Sequence, residues 1–374
     1  MRTLLIGLLL LATLMGWWLY SHQQPVEAER FSVGGALGGI PAEGFKRAIE
    51  PRSFRFPQDH GAHPGFRNEW WYFTGNLRTE QGRHFGFQLV FFRTALAPGE
   101  PQGASPWRTH QVWMAHFALT DTEAEQFHAF ERFNREAIGL AGVKAEPFAL
   151  WLDDWSVREQ DDGWLLSVAE GDLSLTLKLT PQRPPLLQGR AGLSQKSAGP
   201  GNASYYYSIP RLRAEGEVSL HGQRYQVSGL SWLDREWGTS ALSEEQTGWD
   251  WFSLQLDDGS DLMFYRLRHK DGSIDPYSAG SWSQPDGSLI KLAADDVQLD
   301  VLEQWASPKG GRYPLHWRLQ IPGHGLDLRI SPVIDNQELD LTIRYWEGAI
   351  EASGTRNDKP VRGQGYLELT GYGE

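Results

Sequence analysis

The sequence predicts a mainly antiparallel β protein, and three observations carry that reading. Apolar residues alternate with polar ones over many short segments. In "HFGFQLVFF" Phe85, Phe87, Leu89 and Phe91 share one face, and in "DLSLTLKLT" Leu173, Leu175, Leu177 and Leu179 oppose Ser174, Thr176 and Lys178. Turn signals separate such segments, among them "DDG" at 257–259, "KDG" at 270–272 and "PDG" at 285–287. The chain also carries 17 tryptophans and 41 glycines, a pairing that suits strands and turns better than a helical bundle. Many strands with few helices close naturally into barrels or sandwiches, because closure removes sheet edges.

The elements follow in order. The opening "MRTLLIGLLLLATLMGWWLYSHQQP" has one cation, Arg2, and then 18 uncharged residues from Thr3 to Tyr20. A helix of that length reaches about 27 Å, roughly the hydrocarbon thickness of a bilayer. Trp17, Trp18 and Tyr20 stand where an interfacial aromatic belt would lie. Residues 1–24 therefore read as a signal or membrane anchor of an exported protein, held in the periplasmic inner membrane or secreted after cleavage, with "VEA" at 26–28 a late cleavage site. Residues 25–50, with "GGALGG", read as a linker.

The remaining length exceeds one typical core and divides into units at 51–207 and 208–374. "LDLRI" at 326–330 and "LDLTIRY" at 339–345 repeat the strand pattern, whereas "TEAEQFHAFERFNREA" at 122–137 is the best helical segment. The Pro/Gly/Ser-rich stretch at 180–204 reads as a long loop, a lid or a domain crossover. A weak echo spans it. Glu69-Trp70-Trp71 leads to a strand ending at Arg93, and Trp249-Asp250-Trp251 leads to one ending at Arg268.

Composition excludes several functions. A net charge of −12 without a Lys/Arg run argues against nucleic acid as a partner. Without cysteine there is no disulfide, thiolate metal site, Cys nucleophile or lipoprotein anchor. No G-x-S-x-G elbow, H-E-x-x-H helix, P-loop or dinucleotide fingerprint occurs, so a serine or metallo-hydrolase finds no support and no cofactor is called for. His60 and His63 in "DHGAHP" have the spacing of a metal pair but no third ligand at clear spacing, and a turn is the better reading, so no metal is assigned.

The chemistry-bearing feature is the repeated setting of carboxylates against indoles: "FRNEWWYFTGNL" (66–77), "GLSWLDREWGTS" (229–240) and "TGWDWFSLQLDDG" (247–259). These stretches, with "FPQDHG" from 56, "GFQLVFFR" (86–93), "HFALTD" (116–121) and "RGQGYLELTGY" (362–372), resemble the hydroxyneurosporene synthase/AttH family. That family takes in carotenoid 1,2-hydratases, kievitone hydratase-like enzymes, relatives that steer cycloadditions, and many proteins loosely called predicted secreted hydrolases. The resemblance implies two consecutive lipocalin-like (calycin) β-barrels with an apolar ligand near their junction.

Hydrating a C=C bond needs a proton donor strong enough to form a carbocation. A carboxyl in an apolar pocket stays protonated near neutral pH, and indole faces stabilise a cation in a water-poor site. If "LSWLDREW" is extended, Trp232, Asp234 and Glu236 share one face while Leu233 and Arg235 take the other. Asp234 is the first candidate acid, Asp250 the second and Glu69 the third. Candidate ligand contacts are Trp70, Trp71, Tyr72, His116, Trp232, Glu236, Trp237, Trp249, Trp251 and Tyr265. The plainer alternative makes Asp234-Arg235-Glu236 an interface ion-pair lock and pairs Glu69 with Arg67, Arg93 or Arg266. Trp70 and Trp71 point to opposite faces, so one of them is packing, and His116 also fits a core histidine.

Two functional readings stay open. One is a hydratase-like hydro-lyase acting on a polyene, isoprenoid or other apolar small molecule. The other is a non-catalytic envelope carrier of a lipid or hydrophobic metabolite, at the membrane through its N-terminal helix and delivering to an ABC-type transporter. The acid discriminates: catalysis requires a buried, raised-pKa carboxyl aimed at the ligand, whereas carriage leaves every acid paired to Arg or water.

Overall fold

The computed structural model describes residues 42–240 and 242–373, which belong to one compact unit. The anchor and most of the linker expected from the sequence lie outside the described residues. Among the described residues no helix is long and apolar enough to cross a membrane.

The first half forms β1 (Asn68–Arg78), β2 (His84–Ala95), β3 (Gln111–Asp121), β4 (Gln126–Arg135), β5 (Ala141–Ala145), β6 (Phe148–Leu152), β7 (Trp155–Gln160), β8 (Gly163–Glu170) and β9 (Leu173–Pro181). Two short strands follow, β10 (Leu186–Leu187) and β11 (Leu193–Gln195), and then the long hairpin β12 (Ala203–Leu220) and β13 (Gln223–Gly238). The sheet order is β4-β3-β2-β1-β13-β12-β9-β8-β7-β6-β5, antiparallel throughout. Its inner face buries Trp71, Phe73, Phe85, Phe87, Leu175, Leu177 and Trp237 in one continuous core.

The second half forms β14 (Gln246–Leu256), β15 (Asp261–His269), β16 (Ala279–Ser283), β17 (Leu289–Ala293), β18 (Gln298–Ala306), β19 (Arg312–Ile321), β20 (Leu326–Pro332), β21 (Glu338–Asp340), β22 (Arg344–Arg356) and β23 (Lys359–Leu369). Their order is β17-β16-β15-β14-β23-β22-β20-β19-β18, and Phe252, Trp282, Trp317 and Trp346 fill the interior. Two lipocalin-like barrels therefore stand in tandem, each with a packed core rather than a hollow one.

Three expectations need correction. Residues 122–137 are not helical: Glu125 turns the chain with φ 52°, and β4 then pairs with β3. Phe130 packs on the first core while Phe127 and Ala129 meet the Leu339–Tyr345 cluster, so two-sided burial overrides helix propensity. The change of sheet falls between Gly238 and Gln246, not at 207/208, because β12 runs straight through that point and pairs with both β9 and β13. The 180–204 stretch is no domain crossover: it joins β9 to β12 of one sheet, carries β10 and β11, and bonds to both barrels, Gln188 donating to Ser208 at 2.8 Å and accepting from Ser281 at 2.7 Å.

The echo noted in the sequence is a matter of register. In each barrel the first strand pairs with the second and the last. Glu69 stands opposite Arg93, and Asp250 opposite Arg266. One residue on, Trp70 stands opposite Glu236, and Trp251 opposite Glu368. Close strand approach also limits β1. A Cβ at Gly75 would lie 2.5 Å from Phe87 Cε1 and 2.8 Å from the Leu230 carbonyl. Gly75→Ala is expected to cost about 1–3 kcal/mol, measured as a lowered denaturation midpoint with unchanged m-value.

Candidate functional site between the barrels

Period-two alternation decides which acids can meet a ligand. In β1 and β13 one set of side chains enters the first core, and the other set faces the second barrel. The outward set of β1, β2, β3 and β13 joins the outward set of β14, β15, β22 and β23. Between them lies a cavity of about 470 Å3, within the usual range for drug-sized ligands. Its wall is mostly apolar or aromatic, with Trp70, Phe92, Met114, Phe133, Trp249 and Trp251 among the lining residues.

Eight of the sequence candidates line this cavity: Trp70, Tyr72, His116, Asp234, Glu236, Trp249, Trp251 and Tyr265. The other five do not. Trp71 and Trp237 are fully buried in the first core, on the inward side of the alternation. Trp232 sits behind the wall and donates its indole N–H to Asp234 Oδ1 at 2.7 Å.

Glu69 and Asp250 also point inward, each onto arginine. Glu69 accepts from Arg93 Nε at 2.9 Å and pairs with Arg235, whose guanidinium lies 3.8 Å over the Trp71 ring. Burial works to raise Glu69, but the Arg93 and Arg235 charges prevail and hold it well below the usual carboxylate range. Asp250 pairs with Arg266 at 2.8 Å and Arg268 at 3.1 Å, and accepts from the Tyr372 hydroxyl at 2.8 Å. Both acids thus take the ion-pair reading. His60 and His63 are likewise part of the first barrel's polar network: His60 Nδ1 lies 2.6 Å from the Tyr207 hydroxyl, and His63 bridges Asp59 and Glu69.

Among the described residues the cavity acids have no arginine partner. Asp234 Oδ1 accepts from Ser208 at 2.5 Å and from Trp232, and its Oδ2 accepts from Tyr206, which in turn accepts from Trp251 Nε1 at 3.2 Å. Burial nonetheless pushes Asp234 up to about 7 against those three donors, with Glu236 adding to the rise. Glu236 accepts from Ser204 and pairs with Lys196 at 3.2 Å, and Lys196 in turn lies 4.0 Å over the Tyr265 ring. Glu368, opposite Trp251 on β23, is pushed up to about 7 by burial, with Trp249 hydrogen-bonding it and the Asp234 and Glu236 charges raising it. Behind it Tyr72 donates to Glu347, which burial and the Glu368 charge raise well above the ordinary range.

Sequence reasoning missed Glu368, Tyr206, Lys196, Gln88 and Tyr345, all of which line the cavity. For Glu368 a signal existed. It is the counterpart of Glu236 in the echo, but alternation with Leu367 and Leu369 makes it look like an ordinary solvent-facing acid.

The raised carboxyls make a stability prediction. Folding lifts Asp234 from 3.8 and Glu368 from 4.5, each to about 7. The folded state therefore holds protons that the unfolded chain has released, and their favourable contribution is complete below the unfolded values and lost as pH rises toward 7. The Asp234→Asn/Glu368→Gln double variant should gain stability relative to wild type as pH goes from 5 to 8, read from melting temperatures. An unchanged difference across that range would contradict the assignment.

Comparison with known proteins places the chain. A family model described as AttH-like matches residues 47–372. A solved AttH protein of Nitrosomonas europaea is 36% identical, with a TM-score of 0.78 over 88% of this chain and 100% of that one. Kievitone hydratase of Nectria haematococca shares the fold at 16% identity and a TM-score of 0.66, over 89% of this chain and 98% of that one. A dehydratase of Emericella nidulans, AsqC, is 22% identical over 161 residues, 41% of this chain. The match spans 44% of that dehydratase, less than half its length. On the family model and the Nitrosomonas structure, this chain belongs to the AttH-like family.

Proposed function

We propose that the protein takes a largely apolar small molecule between its barrels and adds or removes water at a C=C bond by acid–base catalysis. The observation that carries this reading is the pair Asp234 and Glu368. These are carboxyls on separate barrels that both line an aromatic cavity, lack an arginine partner among the described residues, and are both pushed up to about 7. A carrier would leave its acids neutralised, as Glu69 and Asp250 are.

The hydrogen bonds divide the roles. Three donors favour the ionised form of Asp234, whereas Glu368 has one, Trp249, and two neighbouring negative charges oppose its ionisation. Glu368 is therefore the proton donor to the alkene and Asp234 the carboxylate that takes a proton from water, with the reverse assignment for elimination. The indole faces of Trp70, Trp249 and Trp251 stabilise the cation between the two steps. The sequence put Asp234 first as the acid; the donors around it favour the base.

The names of two relatives agree in chemistry, one a hydratase and one a dehydratase. Because one carboxyl must be protonated and the other ionised, turnover is expected to peak near pH 7 and fall on either side. The test is incubation with pooled isoprenoid polyenes and tertiary isoprenoid alcohols in ¹⁸O-water, followed by mass spectrometry. Label entering an alcohol, or exchanging with one, supports catalysis. Recovery of every compound unlabelled would leave the carrier.

A further inference from the structure

The cavity wall has a second polar cluster, which the water chemistry leaves unused. Gln88 on β2, His116 on β3 and Tyr345 on β22 line it, and all three are buried. Gln88 Nε2 donates to the Tyr345 hydroxyl at 3.1 Å, and that hydroxyl lies 2.8 Å from His116 Nδ1. A phenol oxygen that accepts from the amide directs its own proton to the imidazole, so Nδ1 accepts and the ring proton sits on Nε2. Burial pushes the imidazole down to about 3, so the ring is neutral.

His116 Nε2 and Gln88 Oε1 are then a buried donor and a buried acceptor with no hydrogen-bond partner among the described residues. The Glu131 carboxylate stands 4.0 Å from Nε2, outside hydrogen-bond reach, and is engaged by the Thr342 N–H at 3.1 Å and the Thr342 hydroxyl at 2.8 Å. Buried polar atoms without partners are costly and rare, and here two belong to neighbouring strands of one cavity wall. One donor plus one acceptor is the complement of a hydroxyl group.

We propose that the ligand carries a hydroxyl group, with His116 Nε2–H donating to its oxygen and Gln88 Oε1 accepting its proton. The substrate class is thus an apolar alcohol or phenol rather than a bare hydrocarbon. This rests on the apolar-ligand reading of the cavity and narrows it.

The experiment loads the protein with diphenylhexatriene and displaces it with farnesene, farnesol and farnesyl methyl ether. Farnesol should displace the dye at roughly tenfold lower concentration than the other two, since the hydrocarbon satisfies neither atom and the ether cannot donate. His116→Phe and Gln88→Met, apolar replacements of similar size, should abolish the preference for farnesol over farnesene. Side-chain ¹⁵N NMR of the wild type gives a readout free of any folding defect: the His116 Nε2 resonance should move with farnesol and not with farnesene. Equal competition by all three, with a still resonance, means that water satisfies these atoms and overturns the hydroxyl proposal alone. Failure of the protein to take up diphenylhexatriene overturns the cavity reading as well.

Discussion

Glu368→Gln is expected to lower turnover by about 100-fold or more while ligand affinity stays within a few-fold of wild type. The amide keeps the shape of the acid and its contact with Trp249, so the cavity wall is preserved. What it loses is the transferable proton. An effect confined to the rate, with binding intact, is the signature of a group that acts in the transition state. Asp234→Asn should also lower the rate, but with a different pH profile, because it removes the group that must be ionised and leaves the acid. Single-turnover rates and equilibrium binding, measured across pH 5 to 9 on a labelled alcohol, separate the two. Equal rates for Glu368→Gln and wild type would remove Glu368 from the chemistry.

Glu69→Gln should be the most damaging single change to stability, at about 3–5 kcal/mol, because it leaves the buried Arg93 and Arg235 charges without their carboxylate. Arg235 also stacks on Trp71 and donates to the Gly61 carbonyl at 2.6 Å, so the loss reaches the core and the 56–64 segment together. A melting temperature lowered by on the order of 10 °C is expected. Glu347→Gln is the contrasting control. That glutamate is equally buried but meets the Tyr72 hydroxyl and no cation, and burial holds it protonated, so an amide should be tolerated. If the two variants melted alike, ion pairing would not be what separates these glutamates.

The two variants also mark how far the sequence could be read. Asp234 and Glu236 were legible as cavity acids, and Arg235 as facing away, because alternation along "LSWLDREW" follows from strand geometry alone. Asp250 and Glu69 stood second and third as candidate acids in the sequence, each set beside tryptophan. Their arginines lie on the next strand, so only the pairing register separates an acid neutralised by arginine from one that lines the cavity. Glu368 went unnoticed for the converse reason: a glutamate alternating with core leucines normally meets water.

The β class, the two-barrel expectation and the inward–outward sorting of segments such as β2, β9 and the end of β13 were determined by the sequence itself, since they depend on periodicity over a few residues and on a resemblance carried by local motifs. The tertiary structure decided which outward face would be dry. Each barrel fills its own interior, so the ligand space arises where two nominally exterior faces cover one another. Desolvation across that contact turns Asp234 and Glu368 into groups poised near neutrality, and no local pattern in the chain encodes the loss of their water.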